Sequence, residues 1–372
     1  MEKYFKLFSN CILVKGIKRS IICDVQKQNF YLIPNTLYNI LKEKKYKTKK
    51  ISKLYKIFPN QTSTIEEYFS FLLKNNLIIL SESKKILNNF PKLDKKFEIP
   101  NIISNAILDF RDKIYDYQII IEQLDELLCK ELILRFFSVI DIKVIYQVIE
   151  FVDKSNISNF ELLLPYCSDI NENNINELIS KSNKISKIYI HSLLKEQKEN
   201  VIKSDNTTII FTKQKIDNSS YCGFISPEYF QVNHEMLLQS FNFNNCLYKK
   251  IGIDENGKIK NCPAMNNSFG NVNNICLQEI IKKKDYKKKW FLNKEKIEVC
   301  KLCEFRYICS DCRAFLKDPD NIYSQPAKCT YNPYIAKWEG EEDYIPVEEI
   351  GTYNKKGKFI IKEEYINSLI ND

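Results

Sequence analysis

Seven cysteines in the last third of the 372-residue chain have the residue type and spacing to do chemistry: Cys246, Cys262, Cys300, Cys303, Cys309, Cys312 and Cys329. Their pattern is C-x10-G-x4-C, with Gly257 as the glycine, then C-x2-C-x5-C-x2-C, then x16 and a last cysteine. Thiolates at two- and five-residue spacings can wrap a compact metal centre. One tetrahedral ion takes four ligands, so seven cysteines predict two centres. A zinc ribbon separates its two C-x-x-C knuckles by about 15–20 residues; here the separation is five. The spacing points to ferredoxin-type iron–sulfur ligation.

The stretches IGIDENGKIKNCPAM (251–265), FGNV (269–272) and CKLCEFRYICSDCRAF (300–315) surround these cysteines. They resemble the SPASM domain, the auxiliary-cluster domain of many radical-SAM peptide maturases. The likeness is to the SPASM protein of grasp-with-spasm peptide-modification systems and covers residues 220–340. It implies two [4Fe-4S] clusters with interleaved ligands. Cys300, Cys303, Cys309 and Cys329 would hold one, and Cys246, Cys262 and Cys312 the other. Cys222, in YCGFISP, is the candidate fourth ligand of the latter, and an open iron site able to bind substrate is the alternative. The resemblance also implies a ribosomal precursor peptide and an ATP-grasp ligase as partners. One departure stands out: the family leaves three residues between its fifth and sixth cysteines, and this chain has two, Ser310 and Asp311. That loosens the assignment of Cys312.

A radical-SAM enzyme also needs C-x3-C-x2-C after its first strand. The sequence there is LDFRDKIYDYQ, and no such motif occurs anywhere in the chain. The Gly-Gly-Glu element expected after the second strand is replaced by FFSVID. No glycine lies between residues 17 and 222, so P-loops and dinucleotide fingerprints are excluded there. The SAM site is read as degenerate, and SAM is not an expected cofactor. Cys129 and Cys167 lack a third ligand and read as buried small hydrophobes, as do Cys11, Cys23 and Cys276. His191 and His234, the two histidines, show no partner in sequence and read as structural. The run IIKKKDYKKKW (280–290) reads as a solvated helix face with Ile280, Ile281, Tyr286 and Trp290 turned inward.

These ligands need elements to position them. Residues 5–33 read as short strands, 35–44 and 63–76 as helices, and LIILSES as a returning strand. The expectation is a small winged-helix-like domain over 1–83. Its likeness to PqqD-like leader-recognition elements is architectural, and its strand edge would pair with a leader peptide. Residues 84–100 read as a charged linker with two prolines. Short apolar runs at 102–110, 131–137, 160–166, 187–193 and 207–213 alternate with helical patterns. That alternation means βα units and a parallel sheet. An open α/β sheet fits that periodicity nearly as well; the SPASM-like segment downstream favours a degenerate radical-SAM-type partial (β/α) barrel over 101–220. The SPASM iron–sulfur domain would span 221–340, with a C-terminal extension at 341–372. The fold class is α/β.

Residues 1–100 hold 20 Lys/Arg and 8 Asp/Glu, a balance of +12, and the other 272 residues hold 36 and 39, a balance of −3. The basic part reads as a solvated surface or a docking face for an acidic partner. With Arg19 the one arginine in it, guanidinium forks for reading bases are scarce, and nucleic acid is not expected. No run of about 18 apolar residues exists, so no membrane span is expected. MEKYFKLFSNCILVKG lacks a signal-peptide h-region, and the expected compartment is the cytoplasm. The leading expectation is a peptide-maturation factor working beside the ATP-grasp ligase. The alternatives are an active iron–sulfur peptide-modifying enzyme and a zinc-stabilised peptide-binding module.

Overall fold

A computed structural model describes residues 2–43, 50–112, 114–204 and 206–370. The Lys-rich stretch at 44–49 lies outside these. The N-terminal strands are β1 (Tyr4–Leu7), β2 (Cys11–Lys15), β3 (Arg19–Asp24), β4 (Asn29–Pro34) and β5 (Ile78–Ser81). β2, β3 and β4 form an antiparallel meander, and β1 pairs with β5. Helices Asn35–Lys42, Ile51–Ile57 and Thr62–Lys74 lie between β4 and β5. The last of them stops at Asn76, whose left-handed φ of 51° lets Leu77 N–H reach back to the Leu72 carbonyl. That left-handed end closes off the helix carbonyls and launches β5.

Strand alternation gives the meander two working faces. Cys11, Ile22 and Ile33 face the helices, in one core with Leu37, Leu54, Phe69 and Leu72. Val14, Ile21 and Cys23 point the other way, into a core shared with Ile225, Phe305, Ile308, Cys309, Cys329 and Tyr331. The N-terminal sheet is thus packed directly on the cysteine-rich segment.

The largest element is a nine-stranded, mostly parallel sheet. Its strands are β6 (Asn105–Phe110), β7 (Glu131–Phe136), β8 (Asn159–Pro165), β9 (Ile185–His191), β10 (Asn200–Ser204), β11 (Thr207–Phe211), β12 (Lys250–Ile253), β13 (Lys258–Lys260) and β14 (Gly270–Asn271). The order is β10-β11-β9-β8-β7-β6-β12-β13-β14, parallel from β11 through β12 and antiparallel at both ends. The five apolar runs of the sequence are β6, β7, β8, β9 and β11. β10 has no sequence signal because all but its last residue is exposed. Helices Tyr117–Glu126, Ile142–Lys154 and Glu172–Ser180 follow β6, β7 and β8. Asp116, Asp141 and Asn171 cap them, each side chain accepting from a backbone N–H of the first turn. One face of the sheet, with Leu108, Leu134, Leu162 and Ile188, packs with Ile121, Val148 and Leu178. Each such buried side chain contributes about 1.5–3 kcal/mol.

The opposite face carries Asp109, Arg135 and Glu161 beside Ile107, Ile133 and Leu163. The sheet continues past residue 220: β12 runs parallel beside β6, with Cys246 shortly before β12 and Cys262 just after β13. The chain ends in helix Val347–Ile350, hairpin β15 (Gly351–Tyr353) and β16 (Phe359–Ile361), and helix Glu363–Ile370. Val347 and Ile350 pack with Val299 and Tyr334. The C-terminal extension, whose place the sequence leaves open, therefore lies on the cysteine-rich segment.

Candidate metal centre

The tightest knuckle begins where Val299 takes a left-handed φ of 65°. A β-branched residue pays for that conformation in strain. The bend turns the chain into a single turn, Cys300–Leu302, and Cys303 N–H closes on the Cys300 carbonyl at 3.0 Å. Phe305 N–H points at Cys303 Sγ (3.4 Å), and Cys309 N–H bonds the Phe305 carbonyl (3.1 Å). Far in sequence, Cys329 pairs with Ile225 as an isolated bridge. Cys300, Cys303, Cys309 and Cys329 all line one cavity, together with the apolar Ile225, Phe230, Phe305, Tyr331 and Trp338 and the polar Lys294, Arg306 and Gln325. The aromatic wall is continuous: Phe305 stacks edge-on against Phe30 (5.6 Å) and Tyr331 (5.1 Å), and Tyr331 lies 4.8 Å from Trp338.

Burial pushes the Cys300 thiol up to about 12 and the Cys303 and Cys309 thiols upward as well. Free thiolates do not persist in such surroundings; a bound cationic centre would reverse that by stabilising the anionic form. One fixed cation is already present. Lys294 is buried and its Nζ lies 2.7 Å from Cys309 Sγ. Burial opposes its charge, but the neighbouring sulfurs of Cys309 and Cys300 outweigh that and raise its pKa.

The second thiol set forms around the entry to β12. Cys246 and Cys262 share a small core with Leu247, Met265 and Ala314. Burial pushes the Cys262 thiol up to about 12, with Cys246 adding to the rise, and burial raises Cys246 and Cys312 too. Cys222 contributes to the shift of all three, so it stands in the same neighbourhood. Gly223 explains how. At φ 87° it has no side chain to fend off Cys312, and a Cβ there would sit 2.8 Å from Cys312 Sγ. The exposed Cys222 loop is thereby held against the buried Cys312. Lys250, at the start of β12, places its Nζ 3.8 Å from Cys246 Sγ.

Between the two sets runs a buried polar network. Asn244 donates to Asp311 (2.7 Å) and its carbonyl oxygen Oδ1 accepts from Cys246 N–H (3.0 Å). Asn245 donates to the Cys309 carbonyl (2.9 Å). Asp311 pairs with Arg313 at 2.6 Å, both almost wholly buried. Asp311 belongs to the shortened two-residue spacer, so that departure from the family pattern carries the carboxylate that ties the loops together.

All eight sequence-predicted ligands fall into these two neighbourhoods. Cys11, Cys23 and Cys129 are buried in apolar cores, whereas Cys167 is half-buried and Cys276 caps helix Leu277–Lys282. Ile280, Ile281, Tyr286 and Trp290 are buried. His191 bonds Ser192 Oγ (2.9 Å) and the Phe136 carbonyl (3.3 Å), and His234 opens helix His234–Asn242. Lys294, Lys250, Asp311 and the pair Asp109–Arg135 carry no sequence signal: among 56 Lys and Arg, two interior lysines look like any others. Arg135 grips Asp109 through two bonds of 2.6 and 2.8 Å at the C-terminal ends of β7 and β6.

Fitness for a metal can be judged from the donors. Four thiols around a cavity offer soft sulfur ligation, which suits iron–sulfur centres and zinc. Among the described residues no group of three or more His, Cys, Asp or Glu is placed so that it could hold a metal ion. No protein-family model matches the chain, and no curated protein matches it.

Proposed function

We propose that this chain is a maturation factor for a ribosomally synthesised, post-translationally modified peptide. It would carry two [4Fe-4S] clusters and work beside an ATP-grasp ligase. The observation that carries the reading is the single cavity walled by Cys300, Cys303, Cys309 and Cys329. Their separations along the chain, three, six and twenty residues, repeat the SPASM-like pattern, and a cluster is broader than one ion. Cys246, Cys262, Cys312 and Cys222 would hold the second cluster. The groups would supply electron storage or transfer; the chain's own part is to seal the first set under aromatic rings and to offset its charge with Lys294.

On this reading residues 101–220 are a degenerate radical-SAM-like partial barrel. The ends of its first two strands carry the Asp109–Arg135 ion pair. The N-terminal unit would be a winged-helix-like leader-recognition domain. Supporting this, β4 pairs with β3 alone among the described residues, and Leu32 on it is 48% exposed. An extended peptide can add to such an edge, with main-chain hydrogen bonds giving affinity. The +12 balance of residues 1–100 favours an acidic peptide. Among the described residues no helix is long and apolar enough to cross a membrane.

The test is iron, acid-labile sulfide and zinc content after anaerobic purification, followed by binding of the precursor peptide. About eight irons and eight sulfides per chain, with peptide binding that weakens as salt rises, is the expected result. Zinc without sulfide overturns the cluster assignment and leaves the zinc-stabilised module.

A further inference from the structure

Each thiol set has one lysine ammonium against a sulfur. Lys294, 4% exposed, places its Nζ 2.7 Å from Cys309 Sγ. Lys250 places its Nζ 3.8 Å from Cys246 Sγ. The two lysines come from unrelated elements, a short turn at Lys294–Lys296 and the start of β12. A buried ammonium facing a neutral thiol is an uncompensated charge, which is costly. Facing a metal-bound thiolate it is a paired one. Asp311 offsets part of that charge at Lys294 and Glu131 part of it at Lys250, and anionic sulfur at contact distance would offset the rest.

Resting on the two-cluster reading, we propose that Lys294 and Lys250 are built-in counter-cations that raise the reduction potentials of the two clusters. A doubly positive four-iron core with four thiolates carries a net charge of minus two, and one added electron makes it minus three. No bond breaks and no proton moves; the electron comes from an external one-electron reductant. A cation fixed in hydrogen-bond reach of a ligand sulfur favours the more negative state, and net charge and hydrogen bonds to sulfur are what set such potentials. Lys294 is almost wholly buried, so its charge is little screened. Lys294 is the nearer and deeper of the two and has the larger effect. These are positioning residues: they act on the cluster through a ligand and touch no substrate.

The test is a dithionite titration of the full chain followed by electron paramagnetic resonance, with iron and sulfide counted in every sample. In K294M the reduction equilibrium of one cluster falls at least tenfold, which is about 59 mV for one electron, while the other is unchanged. K294R, which keeps the charge, stays within threefold of wild type. K250M moves the second cluster in the same direction by less. If K294M does not keep its iron, K294Q is titrated in its place. An unchanged midpoint in the iron-loaded uncharged variant overturns the proposal, as does an equal fall in K294R, which would make packing the cause. Absence of iron and sulfide from the wild-type chain is a separate result: it removes the cluster reading itself.

Discussion

Two side-chain arrangements make opposite demands on their surroundings. The cysteines of the first set are held so that burial raises their thiols, and a bound centre relieves that penalty. Cys303→Ala is expected to remove about four of eight irons and leave the second set loaded, as read by iron and sulfide counting. Cys222→Ser is expected to release iron from the second set; retention of all the iron would assign that set an open site. Asp109 has no such relief. Burial pushes its carboxyl up to about 6 even though Arg135 opposes the shift. Between pH 3.8 and about 6 the folded chain thus holds a proton at Asp109 that the unfolded chain has released. Stability from this group is full below the unfolded value of 3.8 and falls as pH rises through about 6. Arg135→Met leaves the Asp109 carboxylate buried without its cation and is expected to cost about 3–5 kcal/mol at neutral pH. The double replacement D109L/R135M recovers most of that. Urea denaturation of the three chains checks both statements.

At the scale of elements, the meander β2–β3–β4 is the joint of the molecule. Its helix-facing residues make a local core, while Val14, Ile21 and Cys23 meet the cysteine knuckle. Polar ties reinforce the contact: Arg19 pairs with Glu304 at 2.7 Å, and Arg306 donates to the Lys15 carbonyl at 2.6 Å. Phe305 is the anchor, touching Phe30 of β4, Phe230, Tyr331 and Trp338. Phe305→Ala is expected to cost about 3–5 kcal/mol by urea denaturation and to speed loss of iron to a chelator, because the same ring seals the cavity. If β4 receives a peptide, that peptide lies one strand away from the knuckle, so binding and cluster environment share a wall.

Over the whole molecule, the cysteine-rich segment is held from three sides: by the meander, by β12 in the large sheet, and by the C-terminal helix and hairpin on Val299 and Tyr334. If the proposed clusters are present, removing iron and sulfide should therefore loosen what the segment touches and spare what it does not. Hydrogen exchange is expected to quicken over residues 246–340 and in β2 and β3, and to change least in β9 and β11, four and five strands away from β12 in the sheet.

The sequence by itself determined the local items. Thiol spacing marked the candidate ligands, and short apolar runs marked β6, β7, β8, β9 and β11. Each is a signal within a few residues, where chain geometry fixes the outcome. Only the tertiary structure decided which groups meet. Gly223 against Cys312, Lys294 on Cys309, Arg135 on Asp109 and the meander on Phe305 join residues with nothing in the intervening sequence to announce them. Lysine and arginine are common in this chain, and what distinguishes an interior one is the anion it faces. The edge strand β10 and the seat of the C-terminal extension were illegible for a related reason. The first is exposed and patternless, and the second depends on a surface, Val299 with Tyr334, that exists only once the cysteine-rich loops are folded.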